Sequence, residues 1–167
     1  ILYMTDQYEK NPAITIITHR NYDRIDNVSV FLIASPIIKK WHPQLTIGLQ
    51  KQWMDIEHNS RMLSMDRPLF IGRFNNGIQF PYGWTLHVDL FFQGKGDFQN
   101  IYINKNVFMM DASLTKSFFD DRLSFNLQGI DLTHGRKDGN VIYNKHMDLT
   151  VNNVTDSREV RLTVRYK

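Results

Sequence analysis

Alternation of apolar and polar residues is the dominant pattern along the chain. After the turn-like PYG in the segment PYGWTLHVDLFFQG (81–94), apolar residues occupy every second position: Trp84, Leu86, Val88, Leu90 and Phe92. Polar side chains occupy the positions between them, with Phe91 as the exception. Because side chains of a β-strand have a period of two, this segment is predicted to be a strand with one apolar and one polar face.

The same alternation recurs along most of the chain, and no segment shows a convincing apolar stripe at helical spacing. We therefore predict an all-β fold, an antiparallel up-and-down meander in which consecutive strands are neighbours. The predicted strands lie near residues 12–22, 27–38, 44–56, 68–80, 84–94, 107–118, 122–132 and 157–167, with a weaker ninth candidate at 140–152.

The connections between these strands alternate in length. Residues 39–43, 81–83 and 119–121 form short links, whereas 56–67, 95–106 and 133–156 are longer and polar. Short links at one end and long links at the other are typical of bacterial membrane barrels, with periplasmic turns and extracellular loops. The link 23–26 is short where this pattern predicts a long one.

Alternation alone does not determine which face is hydrated. A soluble sandwich or small barrel turns its apolar face inward, and a membrane barrel turns it toward lipid. Strands of 10–13 residues exceed the usual length of about five or six in soluble proteins and suit a bilayer. We predict that Leu86 and Leu162 face lipid while their charged neighbours line an aqueous lumen. Strand 27–38 is apolar on both faces and fits this scheme poorly, unless it packs against a plug.

Aromatic residues flank the predicted strands at both ends. Eight to ten residues at about 3.3 Å each, tilted by about 40°, span roughly 20–25 Å of height, close to the apolar band of a membrane barrel. The alternative is ordinary packing, because aromatics are enriched in all β-structure. The residues are Trp41, Phe80, Tyr82, Trp84, Phe118, Phe119 and Tyr166 at the short-link end, and Trp53, Phe70, Phe92 and Phe108 at the far end.

Composition narrows the class of protein. With 167 residues and 42% hydrophobic residues the chain can form one ordered domain, and the absence of cysteine excludes a disulfide framework. The net charge of +3 is spread without a basic block, so we expect no nucleic-acid partner. The longest apolar run, Val30 to Ala34, is far shorter than the roughly 20 residues of a membrane helix. Because the chain starts at Ile1 without a signal-peptide pattern, we expect it to be cut from a longer protein.

No catalytic constellation, cofactor motif or metal-ligand spacing is visible in the sequence, so we predict no enzyme activity, no cofactor and no metal site. The segment DIEH (55–58) can be a cation site or, more simply, a solvated loop. GKGDFQN (94–100) and HGRKDGN (134–140) lack the order of a phosphate loop. We expect surface or lumen roles for the histidines, which are His19, His42, His58, His87, His134 and His146.

Ligand-binding residues are not identified by the sequence. If there is a ligand, contacts are expected from the three long loops and from lumen charges such as Asp89, Arg161 and Arg165. The alternative is that these charges only hydrate the lumen and pair across strands.

The end of the chain resembles the end of the β-barrel in TonB-dependent receptors, within the outer-membrane β-barrel family. The resemblance rests on LSFNLQGIDLTHGRKDGN (123–140) and SREVRLTVRYK (157–167), and extends upstream through NYDRIDNVSV, WHPQLTIGLQKQW and FNNGIQFPYGW. Asp131, Leu132 and Thr133 stand where the family has an Asn-Leu-Phe-like triplet. The chain ends in Tyr166 and Lys167, where family members typically continue with an aromatic residue.

The resemblance implies a bacterial outer-membrane receptor that imports a nutrient through a plugged barrel of about 22 strands. It also implies an energy-coupling protein that binds near the plug, and we expect residues 1–167 to be one domain, a C-terminal section of such a barrel without the plug. Expected partners are outer-membrane lipid and an unidentified nutrient, and the isolated piece is expected to self-associate through its open strand edges. The alternatives are a soluble lipocalin-like carrier and a structural or adhesive outer-membrane barrel.

Overall fold

A computed structural model describes residues 2–8, 11–22, 24–145 and 147–167. These residues form fifteen strands and one short 3₁₀ turn at Pro81–Gly83. No helix among them is long and apolar enough to cross a membrane. The strands are β1 (Leu2–Tyr8), β2 (Asn11–Arg20), β3 (Asp26–Ala34), β4 (Trp41–Trp53), β5 (Asp55–His58), β6 (Arg61–Ser64), β7 (Leu69–Phe80), β8 (Trp84–Gln93), β9 (Gly96–Phe98), β10 (Ile101–Ile103), β11 (Val107–Phe118), β12 (Leu123–Ile130), β13 (Lys137–Tyr143), β14 (Asp148–Val154) and β15 (Glu159–Tyr166).

Seven of the strands form one antiparallel sheet in the order β15-β12-β11-β8-β7-β4-β3. Strands that follow one another in the chain, apart from the inserted short strands, are neighbours in this sheet. The predicted all-β antiparallel meander is therefore confirmed. The observed strands are shifted by a few residues from the predictions, and Trp41 opens β4 instead of lying in the turn before it.

The strand register sorts the side chains of the large sheet into an apolar face and a polar face. Leu114 pairs with Leu86 on one side and with Leu127 on the other, while the adjacent Thr115 pairs with Thr85 and Asn126. One apolar row runs through Leu162, Leu127, Leu114, Leu86, Ile78 and Trp41. The next polar row runs through Thr163, Asn126, Thr115, Thr85 and Gln79.

The apolar face is uncovered. Leu162 is 65% exposed, Val30 is 64% exposed and Leu49 is 50% exposed, which a soluble sandwich or lipocalin-like barrel would not tolerate on its core-facing side. Leu162, which was predicted to face lipid, therefore lies on an uncovered face, and Leu86 lies in the same apolar row. The buried hydrophobic residues among those described are few and lie at one end of the sheet or beyond it: Met54, Ile56, Met65, Leu69 and Val107.

Polar groups on the apolar face have local partners. Asn76 lies in the row of Val88 and Ala112, and its side-chain oxygen accepts a hydrogen bond from the Trp41 indole N–H. Lys116 lies on the same face beside the short-turn end, where its ammonium contacts the Trp84 ring and donates to the Tyr82 carbonyl. A lysine that reaches the end of a strand while its stem covers aromatic rings is typical of a membrane interface.

The long connections contain regular structure that the sequence did not reveal. β5 and β6 form a hairpin, and β14-β13-β10-β9 form a second, four-stranded sheet. The prediction of one weak strand at 140–152 is wrong, because β13 and β14 are two strands of a hairpin. We call β5, β6, β9, β10, β13 and β14 together the outer layer. Its apolar centre is Met54, Ile56 and Met65, packed with Ile25, Leu63, Tyr102 and Tyr143.

The N-terminal region also departs from prediction. No strand was predicted at β1, and β2, the first predicted strand, pairs with β1 in a separate two-stranded sheet. In the described part of the chain β3 is therefore one edge of the large sheet, and β15 is the other. Two positions used in the sequence analysis, residue 23 in the short link and residue 146 among the histidines, lie outside the described residues.

Candidate functional site

A cleft of about 280 Å³ opens on the polar face of the large sheet, beside the outer-layer end. β7, β8 and β11 supply its wall, and the segment after β12 supplies its rim. Because alternate residues of each strand point to this face, charged side chains of neighbouring strands converge there. The lining is Arg73, Asn75, Asp89, Leu90, Phe91, Met109, Asp111, Ile130, Asp131 and Arg136.

Two carboxylates face each other in this cleft. Asp89 of β8 and Asp111 of β11 are direct cross-strand partners, and Asn75 is the partner of Asp89 on the other side. Like charges directly opposite one another in a sheet are destabilising, so this pairing favours a cation between them. One Asp111 oxygen accepts a hydrogen bond of 2.7 Å from the Asp131 backbone N–H, which fixes the position of that side chain.

Two guanidinium groups lie at the same cleft. Arg73 is the cross-strand partner of Phe91, and its guanidinium carbon lies 5.6 Å from the centre of the Phe91 ring. Arg136 reaches the cleft from the segment before β13. Among the described residues, no carboxylate lies within the 4.0 Å of a salt bridge from Arg73 or Arg136. The cleft thus presents charges of both signs that are not neutralised by one another.

Asp131 organises the rim of the cleft. It is 2% exposed, and its carboxylate accepts hydrogen bonds from the Gly135 N–H, the Arg136 N–H and the Ser157 hydroxyl. Burial acts to raise the pKa of Asp131, but these hydrogen bonds outweigh it, and the pKa lies below its usual range. Asp131 therefore remains ionised and holds the backbone around Arg136 at the mouth of the cleft.

The residues that follow Asp131 run alongside β11 and donate hydrogen bonds to it. The Leu132 N–H donates to the Met110 carbonyl, and the Thr133 hydroxyl donates to the Phe108 carbonyl. A Cβ on Gly135 would collide with the Phe108 carbonyl, so the chain runs directly against β11 at this point. The triplet 131–133 therefore holds the rim of the cleft against β11.

A buried glutamine joins the outer layer to the large sheet. Gln52, near the end of β4, is 2% exposed. Its side-chain nitrogen donates to the carbonyls of Met65 and Gln99, and its oxygen accepts from the Gln99 N–H. All hydrogen-bonding groups of the amide are therefore used, as burial requires.

A second connection is ionic. The buried Asp97 of β9 accepts a hydrogen bond of 2.9 Å from the Arg67 N–H, and the Arg67 guanidinium lies 3.6 Å from the same carboxylate. That guanidinium also stacks over the Tyr102 ring at 4.0 Å. Burial raises the pKa of Asp97 despite the opposing effect of Arg67. Burial acts to lower the pKa of Arg67, but Asp97 and Tyr102 raise it above its ordinary value.

The segment 55–58 is a strand of the outer layer, and the prediction of a solvated loop there is wrong. His58 Nδ1 lies 2.8 Å from the Asn144 carbonyl and 3.4 Å from Asp148, while Glu57 pairs with Lys145 at 3.0 Å. These contacts join the β5–β6 hairpin to the β13–β14 turn. In the described part of the chain, no three His, Asp or Glu side chains are grouped so as to hold a metal ion.

The structure brings only one of the three named lumen charges to the cleft. Asp89 lines it, whereas Arg161 pairs with Glu159 at 2.8 Å on β15, and Arg165 lies opposite Ser124 near the short-turn end. Sequence reasoning missed Arg73 and Arg136 as site residues and did not connect Asp111 with Asp89. Alternation placed Asp111 on a polar face, but only the β8–β11 register shows that it faces Asp89.

Comparison with known proteins identifies the family. The sequence model of the outer membrane protein beta-barrel family matches residues 2–166. No curated protein and no solved structure matches the chain. The match covers nearly the whole chain and agrees with the antiparallel sheet and its uncovered apolar face, which places the protein in the bacterial outer membrane. The chain therefore belongs to the outer membrane protein beta-barrel family.

Proposed function

We propose that this chain is part of a TonB-dependent outer-membrane receptor that imports a nutrient, and that it is a transporter and not an enzyme. The observation that carries the proposal is the open cleft of mixed charge on the polar face of the large sheet, with Asp131 and Arg136 at its rim. Ligand sites in proteins are typically concave and carry a few convergent polar groups, as this cleft does. The resemblance of residues 123–140 and 157–167 to receptor barrels supports the same function.

The proposal includes the partners of the protein. Lipid covers the apolar face, and an energy-coupling protein of the inner membrane acts through a plug region that belongs to the same receptor. Residues 1–167 are one domain and form the C-terminal section of the larger barrel. Nucleic acid is not a partner, because the basic residues are dispersed and many lie beside carboxylates or aromatic rings.

A growth experiment tests the import function. A strain in which the gene for this protein is disrupted is compared with a strain that lacks the energy-coupling protein, on a panel of defined single nutrients. We expect both strains to lose growth on the same restricted set of nutrients, and the wild-type gene to restore it in the first strain.

A different outcome would favour the structural or adhesive barrel. If the disrupted strain grows normally on every nutrient but leaks periplasmic enzymes or loses attachment to surfaces, the import function is wrong. Release of the wild-type protein from cells by buffer without detergent would contradict every membrane-barrel function, including this one.

A further inference from the structure

We propose that the cleft binds a small zwitterionic ligand of the size of a short peptide, with its ammonium group between Asp89 and Asp111 and its carboxylate on Arg73. This inference rests on the proposed function, since it names the chemical class of the imported nutrient. The apolar part of the ligand lies against Phe91 and Met109, which are cross-strand partners on the same face.

The cation position follows from the strand register. Asp89 and Asp111 are opposite one another, and neither has a cationic partner among the described residues. An ammonium group placed between them relieves their repulsion and donates hydrogen bonds to both carboxylates. Asn75, beside Asp89, adds a neutral hydrogen-bonding side chain at the same level.

The anion position follows from Arg73, whose guanidinium has no carboxylate partner among the described residues. A guanidinium group binds a carboxylate through two parallel hydrogen bonds, and the Arg73 guanidinium carbon lies 5.6 Å from the centre of the Phe91 ring. Arg136 at the rim supplies a second positive charge, and its backbone N–H is held by Asp131. The carboxylate end of the ligand therefore lies toward the outer layer.

The spacing of the two positions selects the length of the ligand. Arg73 and Asp89 are diagonal neighbours in the β7–β8 pairing, and such positions are about 7–8 Å apart. An extended peptide spans about 3.3–3.6 Å per residue, so the length of a dipeptide matches the spacing of these two strand positions. A neutral sugar is disfavoured because it would leave Arg73, Asp89 and Asp111 without counter-charges.

Calorimetric titration of the detergent-purified protein tests this assignment. The probes are dialanine and trialanine, each also as the N-acetyl derivative and as the C-terminal amide. We expect Asp89→Asn, Asp111→Asn and Arg73→Gln each to weaken binding of the free peptides by about 10- to 100-fold, the loss expected for a charge-assisted hydrogen bond. Arg165→Gln, on the same face but near the short-turn end, is the matched control and should leave binding unchanged.

The blocked peptides give a second measurement that does not depend on the folding of any variant. Wild-type protein should bind both blocked forms more weakly than the free peptide. The acetylated peptide should be insensitive to Asp89→Asn, because its ammonium is already absent, and the amide should be insensitive to Arg73→Gln.

Two results would overturn the assignment. One is the absence of binding of both free peptides to the wild-type protein at millimolar concentration. The other is binding of a neutral disaccharide such as maltose that is weakened by the same three substitutions. Peptide binding without energy-dependent uptake would refute the proposed function but support the site, and uptake of a nutrient without peptide binding would do the reverse.

Discussion

Two glycines differ in the space that is available for an added Cβ atom. A Cβ on Gly135 would meet the Phe108 backbone carbonyl, whereas a Cβ on Gly48 would meet the Phe31 ring, which is 56% exposed. A backbone carbonyl within a sheet cannot move aside, but an exposed ring can rotate. We expect Gly135→Ala to destabilise the rim by about 1–3 kcal/mol and Gly48→Ala to cost less than about 1 kcal/mol.

Limited proteolysis after residue 131 measures the first effect. The Gly135→Ala protein should be cut faster in segment 131–137 than the wild type, and the Gly48→Ala protein should be cut at the wild-type rate. Equal rates for all three proteins would show that the rim does not dock tightly on β11.

Two carboxylates give the outer end of the protein opposite responses to pH. The pKa of Asp131 is lowered on folding, so its stabilising effect is present above the usual pKa of a carboxyl group and is lost as the pH falls through the lowered value. The pKa of Asp97 is raised on folding, so its contribution is greatest at low pH and is lost as the pH rises through the raised value.

Proteolysis as a function of pH separates these two residues. Asp131→Asn should make the rim more easily cut at neutral pH and remove its loss of protection in acid. In the wild type, the rate of cleavage around β9 should increase as the pH rises from acid to neutral. Asp97→Asn should reduce this increase. Identical pH profiles for the wild type and both variants would contradict the assigned shifts.

The elements of the large sheet are the part that the sequence predicted best. Long strands repeat the two-residue alternation many times, and among the strands of this sheet β3 departs from it because it is apolar on both faces. The outer layer was missed because β9 and β10 have three residues each, too few to show a period, and because its sheet joins strands from two different connections. The residues of the cleft are brought together by the register between neighbouring strands. The sequence of a single strand does not determine that register.

The two faces of β8 should respond differently to the same charge. Val88 lies midway between Trp84 and Phe92 on the apolar face, and His87 is its neighbour on the polar face. We expect Val88→Arg to cost about 2–4 kcal/mol, the penalty for arginine at the bilayer midplane, and His87→Arg to change stability by less than about 0.5 kcal/mol. Urea titration of the protein folded into phospholipid vesicles gives both values, and equal costs would mean that the faces are wrongly assigned.

The stability of the outer layer should depend on the side chain of Gln52, near the end of β4. Gln52→Ala leaves the carbonyls of Met65 and Gln99 without their donor, and we expect a loss of about 2–4 kcal/mol in the stability of the outer layer. Gln50→Ala, two residues earlier on the same face, is the control. Hydrogen exchange of the β6 and β10 amides should accelerate in the first variant only, and acceleration in both would assign the effect to the strand and not to the side chain.

At the scale of the whole molecule, the edges of the large sheet determine how residues 1–167 behave when produced alone. β3 and β15 each pair on one side only among the described residues, and Val160 and Leu162 of β15 are also exposed. Unpaired edges of this kind are templates for association. We expect the isolated chain to form oligomers in light scattering, with slow hydrogen exchange in β3 and β15 as well as in the central β8. A detergent-independent monomer with rapid exchange in both edge strands would contradict this.

The contacts of the outer layer also bear on the order of folding. Gln52 reaches Gln99, 47 residues away, and His58 reaches Asn144, 86 residues away. The β3–β4, β7–β8 and β11–β12 hairpins of the large sheet, in contrast, close over short turns. Contacts between distant parts of a chain form late, because the loop entropy must be lost before they stabilise anything. We therefore expect the hairpins of the large sheet to form first, and the outer layer to close only after β13 and β14 have folded against β5 and β10.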